Sequence, residues 1–258
     1  MEITGGTNIP QDSVIDASVT TEGLSFSVVK VGVSAFENKN LTSVQLPNTM
    51  RFIDDFAFQS NQISSLTIPT SVTRIDFRAF RLNQIGGNLL IPNTVTALGN
   101  AAFEANNLSS ISISENLSAI GNQVFRSNQL TTVTIPANIN SLGDSCFRSN
   151  PLTEVIVLNT TPLTFTGNDP FFQNRGNIAL TVPTNTELNY LVSGWTGFAS
   201  INGQDPAFFN EFVDNNDTYR ITALNPNEVA IVESNITGEL IVPTSANDGT
   251  VDYTVTTI

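Results

Sequence analysis

Apolar residues recur along this chain in a fixed frame. Phenylalanines stand at Phe36, Phe58, Phe80, Phe103, Phe125 and Phe147, at spacings of 22, 22, 23, 22 and 22 residues. A small or short apolar residue precedes each one: Ala35, Ala57, Ala79, Ala102, Val124 and Cys146. Five positions after each comes Leu41, Ile63, Ile85, Leu108, Leu130 or Leu152. An alternating pair follows: Val44 and Leu46, Leu66 and Ile68, Leu89 and Ile91, Ile111 and Ile113, Val133 and Ile135, Val155 and Val157. Proline closes four of these pairs, at Pro47, Pro69, Pro92 and Pro136. Five positions ahead of each later phenylalanine stands one more apolar residue, Ile53, Ile75, Leu98, Ile120 or Leu142.

A unit of this length cannot bury its own apolar side, but a stack of such units can, so the frame predicts a solenoid. The segments LTSVQL, ISSLTI, LSSISI and LTTVTI combine period-two alternation with β-branched residues, which predicts one strand per repeat. Successive strands would then lie parallel, about 4.8 Å apart. Proline, having no N–H to donate, stops each strand, and the phenylalanine column fills the inside. The one longer unit, FRLNQIGGNLLIP, places its extra residue near Gly86 and Gly87. Glycine there permits a bulge that absorbs the insertion; a ligand site is the other reading.

Polar positions keep the frame too. Three residues after the phenylalanine stands Asn61, Asn83, Asn106, Asn128 or Asn150, with Lys39 in the first repeat. Asparagine in a sharp turn bonds backbone groups that no strand satisfies, so the column reads as a structural ladder. A row of sugar-binding amides is the alternative. One residue after the phenylalanine stands Glu37, Gln59, Arg81, Glu104, Arg126 or Arg148. Its mixed signs suit a solvent-facing position. Arg74, Arg78 and Arg81 cluster as a local basic patch. It is either a contact surface or a set of charges neutralised by neighbours such as Asp76.

The pattern A-F-x-x-N-x-L-T-x-V-x-I-P-x-x-V-x-x-I-G resembles the bacterial leucine-rich repeats of the BspA type, also called the Treponema pallidum type. AFQSNQISSLTIPTSVTRID from Ala57 and VFRSNQLTTVTIPANINSLG from Val124 carry it most clearly. The longer form of that family has cysteine three residues after the phenylalanine and a longer period, so this chain resembles the shorter, asparagine-type variant. The resemblance spans residues 30 to 201. Residues 180 to 201, LTVPTNTELNYLVSGWTGFASI, are similar to the family's closing segment through Val182, Pro183, Tyr190, Trp195 and Phe198. NTELNYLVSGW also reads directly as a short helix stopped by Gly194, with aromatics to cover an open end. The implied fold is a leucine-rich-repeat solenoid of the α/β class. It is predominantly strand and turn, with one parallel strand per repeat, a short C-terminal capping helix and a small β segment.

The flanks differ from the array. Residues 202 to 258 hold nine acids against Arg220 alone, whereas residues 31 to 157 hold eight acids and seven bases. TYRITAL, EVAIVES, GELIVPT and VDYTVTTI read as strands separated by the turn signals NPN, SNITG and SANDGT. The closing ITGELIVPTSANDGTVDYTVTTI echoes the opening ITGGTNIPQDSVIDASVTTEGLSFSVVKVG. The echo suggests a lead-in before each of several tandem arrays, and hence a piece of a longer protein; a complete chain whose last small β domain shares ancestry with its first is the alternative reading. The expected organisation is a β lead-in at 1–29, a six-repeat solenoid at 30–157, an irregular last repeat and aromatic cap at 158–201, and an acidic β-rich segment at 202–258.

Composition narrows the function. The chain has 258 residues, is 40% hydrophobic and carries a net charge of −13, which disfavours nucleic acid as a partner. It has no run of about 20 apolar residues, so no membrane insertion is expected. The opening MEITGGTNIPQDS has neither the basic nor the apolar region of a signal peptide. Histidine is absent, which removes the commonest general base and zinc ligand. Cys146, the single cysteine, reads as buried filler. Asp54 and Asp76 stack across repeats, where two acids would raise one pKa or hold a cation. DNNDT at 214–218 is a turn or a weak calcium site. No cofactor, metal or catalytic residue is indicated.

The resemblance implies a non-enzymatic surface or secreted module for adhesion or protein binding, because members of that family are commonly surface-exposed and some bind host matrix proteins or cells. The expected location is extracellular or on a bacterial cell surface, and the expected state monomeric. The residues themselves supply a polar strand face: Thr42, Ser43 and Gln45; Ser64, Ser65 and Thr67; Ser109, Ser110 and Ser112; Thr131, Thr132 and Thr134; and Glu154. A carbohydrate-recognising domain using these rows and exposed aromatics near Phe171, Phe172 and Trp195 is the rival reading, and a structural spacer the third.

Overall fold

Each repeat closes one coil, and the coils stack through their backbones on three sides. The structure, a computed structural model, describes residues 2–4, 10–171, 175–204 and the strand segments 211–214, 217–221, 228–234, 245–247 and 252–257. Coils are numbered one to six by their phenylalanines, Phe36 to Phe147.

Two strand ladders run along the coils where one strand per repeat was expected. The first is made of short parallel pairs: Glu2–Ile3, Lys30–Val31, Phe52–Ile53, Arg74–Ile75 and Ala97–Leu98, in that order. It resumes as Ala119–Ile120, Ser141–Gly143 and Thr164–Thr166. Its buried members, such as Ile53, Ile75, Ile120 and Leu142, are the apolar residues ahead of each phenylalanine. Runs this short show no alternation in sequence.

The second ladder forms on the expected segments and is interrupted. Asp12–Val14 pairs with Ser43–Gln45, Gly86–Leu90 with Asn107–Ser112, and Thr132–Ile135 with Glu154–Val157, all parallel. Residues 64–68 of coil two form no strand, although ISSLTI has the pattern of one. Backbone bonding to the neighbouring coils stops at Ser64. Its N–H donates back to Thr42 in coil one, while its C=O accepts from Gly86 in coil three. Thr42 bonds in the same two directions, to Gln11 and from Ser64, but in coil one the strand resumes at Ser43. In coil three the longer unit is absorbed as expected. The register steps by one residue between Leu108 and Ser110, opposite Gly87 and Asn88, and Gly87 has φ +73°.

The third side is the turn around each phenylalanine. Ser34 and Asn38, Phe56 and Ser60, Arg78 and Leu82, Ala101 and Ala105, Gln123 and Ser127, and Ser145 and Ser149 all have φ between 54° and 59°. They stand two residues before and two after the ring. Here the N–H groups donate forward: Phe36 to Ala57, Phe58 to Ala79, Phe80 to Ala102, Phe103 to Val124 and Phe125 to Cys146, at 2.8–3.0 Å. Beside the first ladder they donate backward, as Asp54 does to Val31 and Asp76 to Ile53.

Inside, the phenylalanine rings form one stack, with neighbouring centroids 5.1–6.1 Å apart and planes within 2–9°. Phe171 adds a seventh ring, 5.9 Å from Phe147. Residues 2–3 and 12–14 act as a coil ahead of the array, pairing with both ladders, and Ser18–Thr21 with Leu24–Ser27 make a hairpin off it.

The chain divides into two units: Met1–Asn159 with Leu163–Asn174, and Thr160–Pro162 with Arg175–Ile258. In the second, Ala179–Thr181 pairs with Ser200–Ile201 and the expected short helix spans Glu187–Val192. Trp195 is fully buried, edge-on to Tyr190 at 5.3 Å and stacked on Phe198 at 6.0 Å. The C-terminal strands Glu211–Asp214, Asp217–Ile221, Glu228–Ser234, Asp252–Thr257 and Ser245–Asn247 form one sheet in that order. Ser245–Asn247 is a strand where SANDGT reads as a turn; GELIVPT lies outside the described residues apart from its surroundings.

Candidate interaction surface

The second ladder sorts side chains by alternation. In coil five Val133 and Ile135 are buried while Thr132 and Thr134 are exposed, and Thr131 ahead of them is exposed too. Gln45, Ser64, Ser65, Thr67, Ser109 and Ser112 are likewise exposed, whereas Thr42, Ser43, Ser110 and Glu154 are half-buried. The hydroxyls of Thr42 and Ser43 donate to Asp12 Oδ1 at 2.8 and 3.0 Å, so the coil ahead of the array holds them. Ser110 Oγ donates to Asn88 Oδ1 at 3.0 Å. All these residues share the strand side of the first unit. Coil three adds two members that the sequence pattern hid, Asn88 and Leu90, the latter 59% exposed. The extra residue in that unit shifts the frame counted from Phe80; counting back from Pro92 recovers both positions.

Beside coil two this surface is not flat. Where residues 65–69 fail to pair with Ser43–Gln45, a cleft of about 370 Å³ opens between the two coils.

The asparagine column turns inward. Asn61, Asn83, Asn106, Asn128 and Asn150 are all buried. Each Oδ1 accepts from a backbone N–H of the preceding coil: Leu41, Ile63, Ile85, Leu108 and Leu130, at 3.0–3.1 Å. Each Nδ2 donates to the phenylalanine C=O of its own coil and of the one before, as Asn106 does to Phe103 and Phe80. Buried and bonded in this way, these amides offer nothing to a sugar.

The charged positions are engaged with one another. Glu37, Gln59, Arg81, Glu104 and Arg126 do not simply face solvent, because coil spacing sets column neighbours within reach. Gln59 Nε2 donates to Glu37 at 2.7 Å. Glu104, buried, takes Arg81 at 2.7 Å and Arg126 at 3.7 Å. Arg74 bridges Asp54 at 3.4 Å and Asp76 at 3.0 Å, and Lys30 reaches Asp54 at 2.7 Å. The two stacked acids therefore hold side-chain cations of the chain itself. Burial, foremost, raises the Asp76 pKa above the usual carboxylate value, against the lowering effect of Arg74. Arg78 lies over the Phe77 ring, 4.6 Å from its centre.

Other expected chemistry is closed off. Burial pushes the Cys146 thiol far above its ordinary range. Phe171 and Trp195 are 2% and 0% exposed, so neither is an open platform for a sugar ring; Phe172 lies outside the described residues. Packing of the ring stack and of the Tyr190 cluster takes these aromatics. Among the described residues no group of three or more His, Cys, Asp or Glu could hold a metal ion, and no helix is long and apolar enough to cross a membrane.

A sequence profile described as the BspA type leucine rich repeat region matches the chain in six copies, over residues 7–87 and 86–189. The chain belongs to the BspA-type leucine-rich-repeat family. In this BspA-type chain the match begins at residue 7, ahead of the strand Asp12–Val14. No curated protein matches the chain. Among solved structures it is similar to a leucine-rich repeat protein from Bacteroides ovatus, with 17% identity over 73% of this chain and 67% of that one and a TM-score of 0.37. It is also similar to a leucine rich cell surface protein from Faecalibacterium prausnitzii, with 18% identity over 90% of this chain and a TM-score of 0.46. This chain spans 56% of that protein's length. The pneumococcal vaccine antigen PcpA matches at 11% identity over 74% of this chain and 89% of its own, with a TM-score of 0.29.

Proposed function

We propose that this BspA-type chain is a non-enzymatic protein-binding module, acting in adhesion on a cell surface or outside the cell, and that its strand face meets the partner. The observation that carries the reading is the division of labour within each coil. Phenylalanine, asparagine and the apolar pairs are buried and bonded, while the exposed strand positions, Ser, Thr, Gln, Asn and Leu90, change from coil to coil. A surface that varies over a fixed scaffold is what recognition requires. The surface location rests on the family and on the Faecalibacterium protein's description as a cell surface protein. The non-enzymatic reading is supported by the absence of histidine and by the buried, protonated thiol of Cys146.

The test is a binding screen of the whole chain against purified extracellular-matrix proteins and neutral glycans, repeated with Thr132→Arg on the face and Ala97→Arg on the other ladder. Binding of a protein that Thr132→Arg weakens and Ala97→Arg spares supports the reading. Binding of glycans alone supports the carbohydrate alternative, and binding of neither makes the chain a spacer.

A further inference from the structure

The cleft between coils one and two lies at one of the breaks in the second ladder, and its backbone is unspent. In the strand Ser43–Gln45, Ser43 donates to Gln11 and Gln45 accepts from Ile15, so both residues face the coil ahead of the array. Val44, between them, therefore directs its N–H and C=O into the cleft. Across from it, residues 65–68 make no backbone hydrogen bond to either neighbouring coil among the described residues. Unpaired strand edges are where a further strand adds.

The walls say what kind of strand. Gln45 and Asn48 stand on one side and Ser65 and Thr67 on the other, over Val44 and the half-buried Leu46. None is charged and none is aromatic. In a chain of net charge −13, an uncharged wall favours a neutral occupant. The lack of a ring to stack on argues against a sugar. The volume, about 370 Å³, is at the small end of ligand sites, which run from roughly 300 to 1,000 Å³, and admits a few residues of extended chain.

We infer that this cleft is a peptide slot, in which an extended, uncharged segment of a partner protein pairs its backbone with Val44 and with residues 65–68. The inference rests on the protein-binding reading of the strand face and names where on that face a partner enters. It requires that the partner's segment be free of charge where it passes Gln45 and Thr67, and that backbone pairing, which tolerates varied sequences, supply the affinity.

The test selects a random-peptide display library on the full chain, remakes the enriched peptides with a fluorescent label and measures them by anisotropy. Val44→Pro removes the N–H that points into the slot, Val44→Ala keeps it, and Thr67→Trp fills the space. Thr132→Arg alters the same face far from the slot, Ala97→Arg lies on the other ladder, and thermal melts check that each variant folds. The expected result is enrichment of uncharged, strand-forming peptides. Their affinity should fall about tenfold or more with Val44→Pro and with Thr67→Trp, and hold with Val44→Ala and Ala97→Arg. If Val44→Pro does not fold, Thr67→Trp carries the comparison. Peptides lost on Thr132→Arg but indifferent to Thr67→Trp would overturn the slot and leave the protein-binding face standing. No enriched peptide, or a neutral glycan that binds wild type and is blocked by Thr67→Trp, would overturn the slot outright.

Discussion

Single positions in this chain do two jobs that sequence shows unequally. The asparagine column was legible, because the same residue returns in each turn of the frame. Replacing Asn106 by alanine strands the Ile85 N–H in the interior, while the Phe80 and Phe103 carbonyls keep their bonds from Asn83 and Asn128. A buried unsatisfied group costs about 1–3 kcal/mol, so N106A should lower stability by about that much in a urea melt. The left-handed columns were not legible, since their identities are diverse: serine, asparagine, phenylalanine, arginine, leucine, alanine and glutamine. What they share is an exclusion. None of the twelve is valine, isoleucine or threonine, the residues that tolerate positive φ least. Leu82 is exposed with φ 56°. Leu82→Gly should raise the melting temperature, with a gain on the order of 0.5–1 kcal/mol, and Leu82→Ile should lower it. In the second unit, burial pushes the Tyr190 phenol up to about 12. The raised value means the unfolded chain loses this proton first. The associated stability is full below the ordinary phenol pKa of 10 and is lost as pH climbs toward 12. An alkaline titration followed by phenolate absorbance should show one late tyrosine, absent in Tyr190→Phe.

Elements were legible in proportion to their length. Segments of four to six alternating residues announced the second ladder in coils four, five and six. The two-residue strands of the first ladder carry too little pattern to announce anything. Coil two shows the converse: ISSLTI alternates properly, yet residues 65–68 bond to neither neighbouring coil and no strand forms. Alternation states a preference that tertiary context can override. Gly99, Gly121 and Gly143 hold the position that Asp54 and Asp76 hold in earlier repeats. In the structure a Cβ at Gly99 would meet the peptide joining Asp76 to Phe77, and one at Gly143 the peptide joining Gly121 to Asn122. Close approach of coils, not conformation, selects glycine there. The ring stack is the element on which the coils depend. Phe103, fully buried between Phe80 and Phe125, should cost about 3–5 kcal/mol on replacement by alanine, read as a shift in denaturation midpoint.

At the scale of the molecule, sequence yields the scaffold more readily than the partner. The scaffold repeats, so each position is stated six times; the recognising positions differ by design and are stated once. Charge also reads differently at this scale. The array is nearly neutral, and several of its cations are spent on its own acids, as Arg74, Arg81 and Arg126 are. That leaves a strand face with few charges, and a cleft between coils one and two, as the distinctive surface of the first unit. The most direct test of the claim that this face recognises protein is the matrix-protein and glycan screen read through Thr132→Arg and Ala97→Arg. A protein bound by the wild type should be weakened by at least about tenfold by the first and left unchanged by the second. Equal binding by both variants, or equal loss, would contradict it.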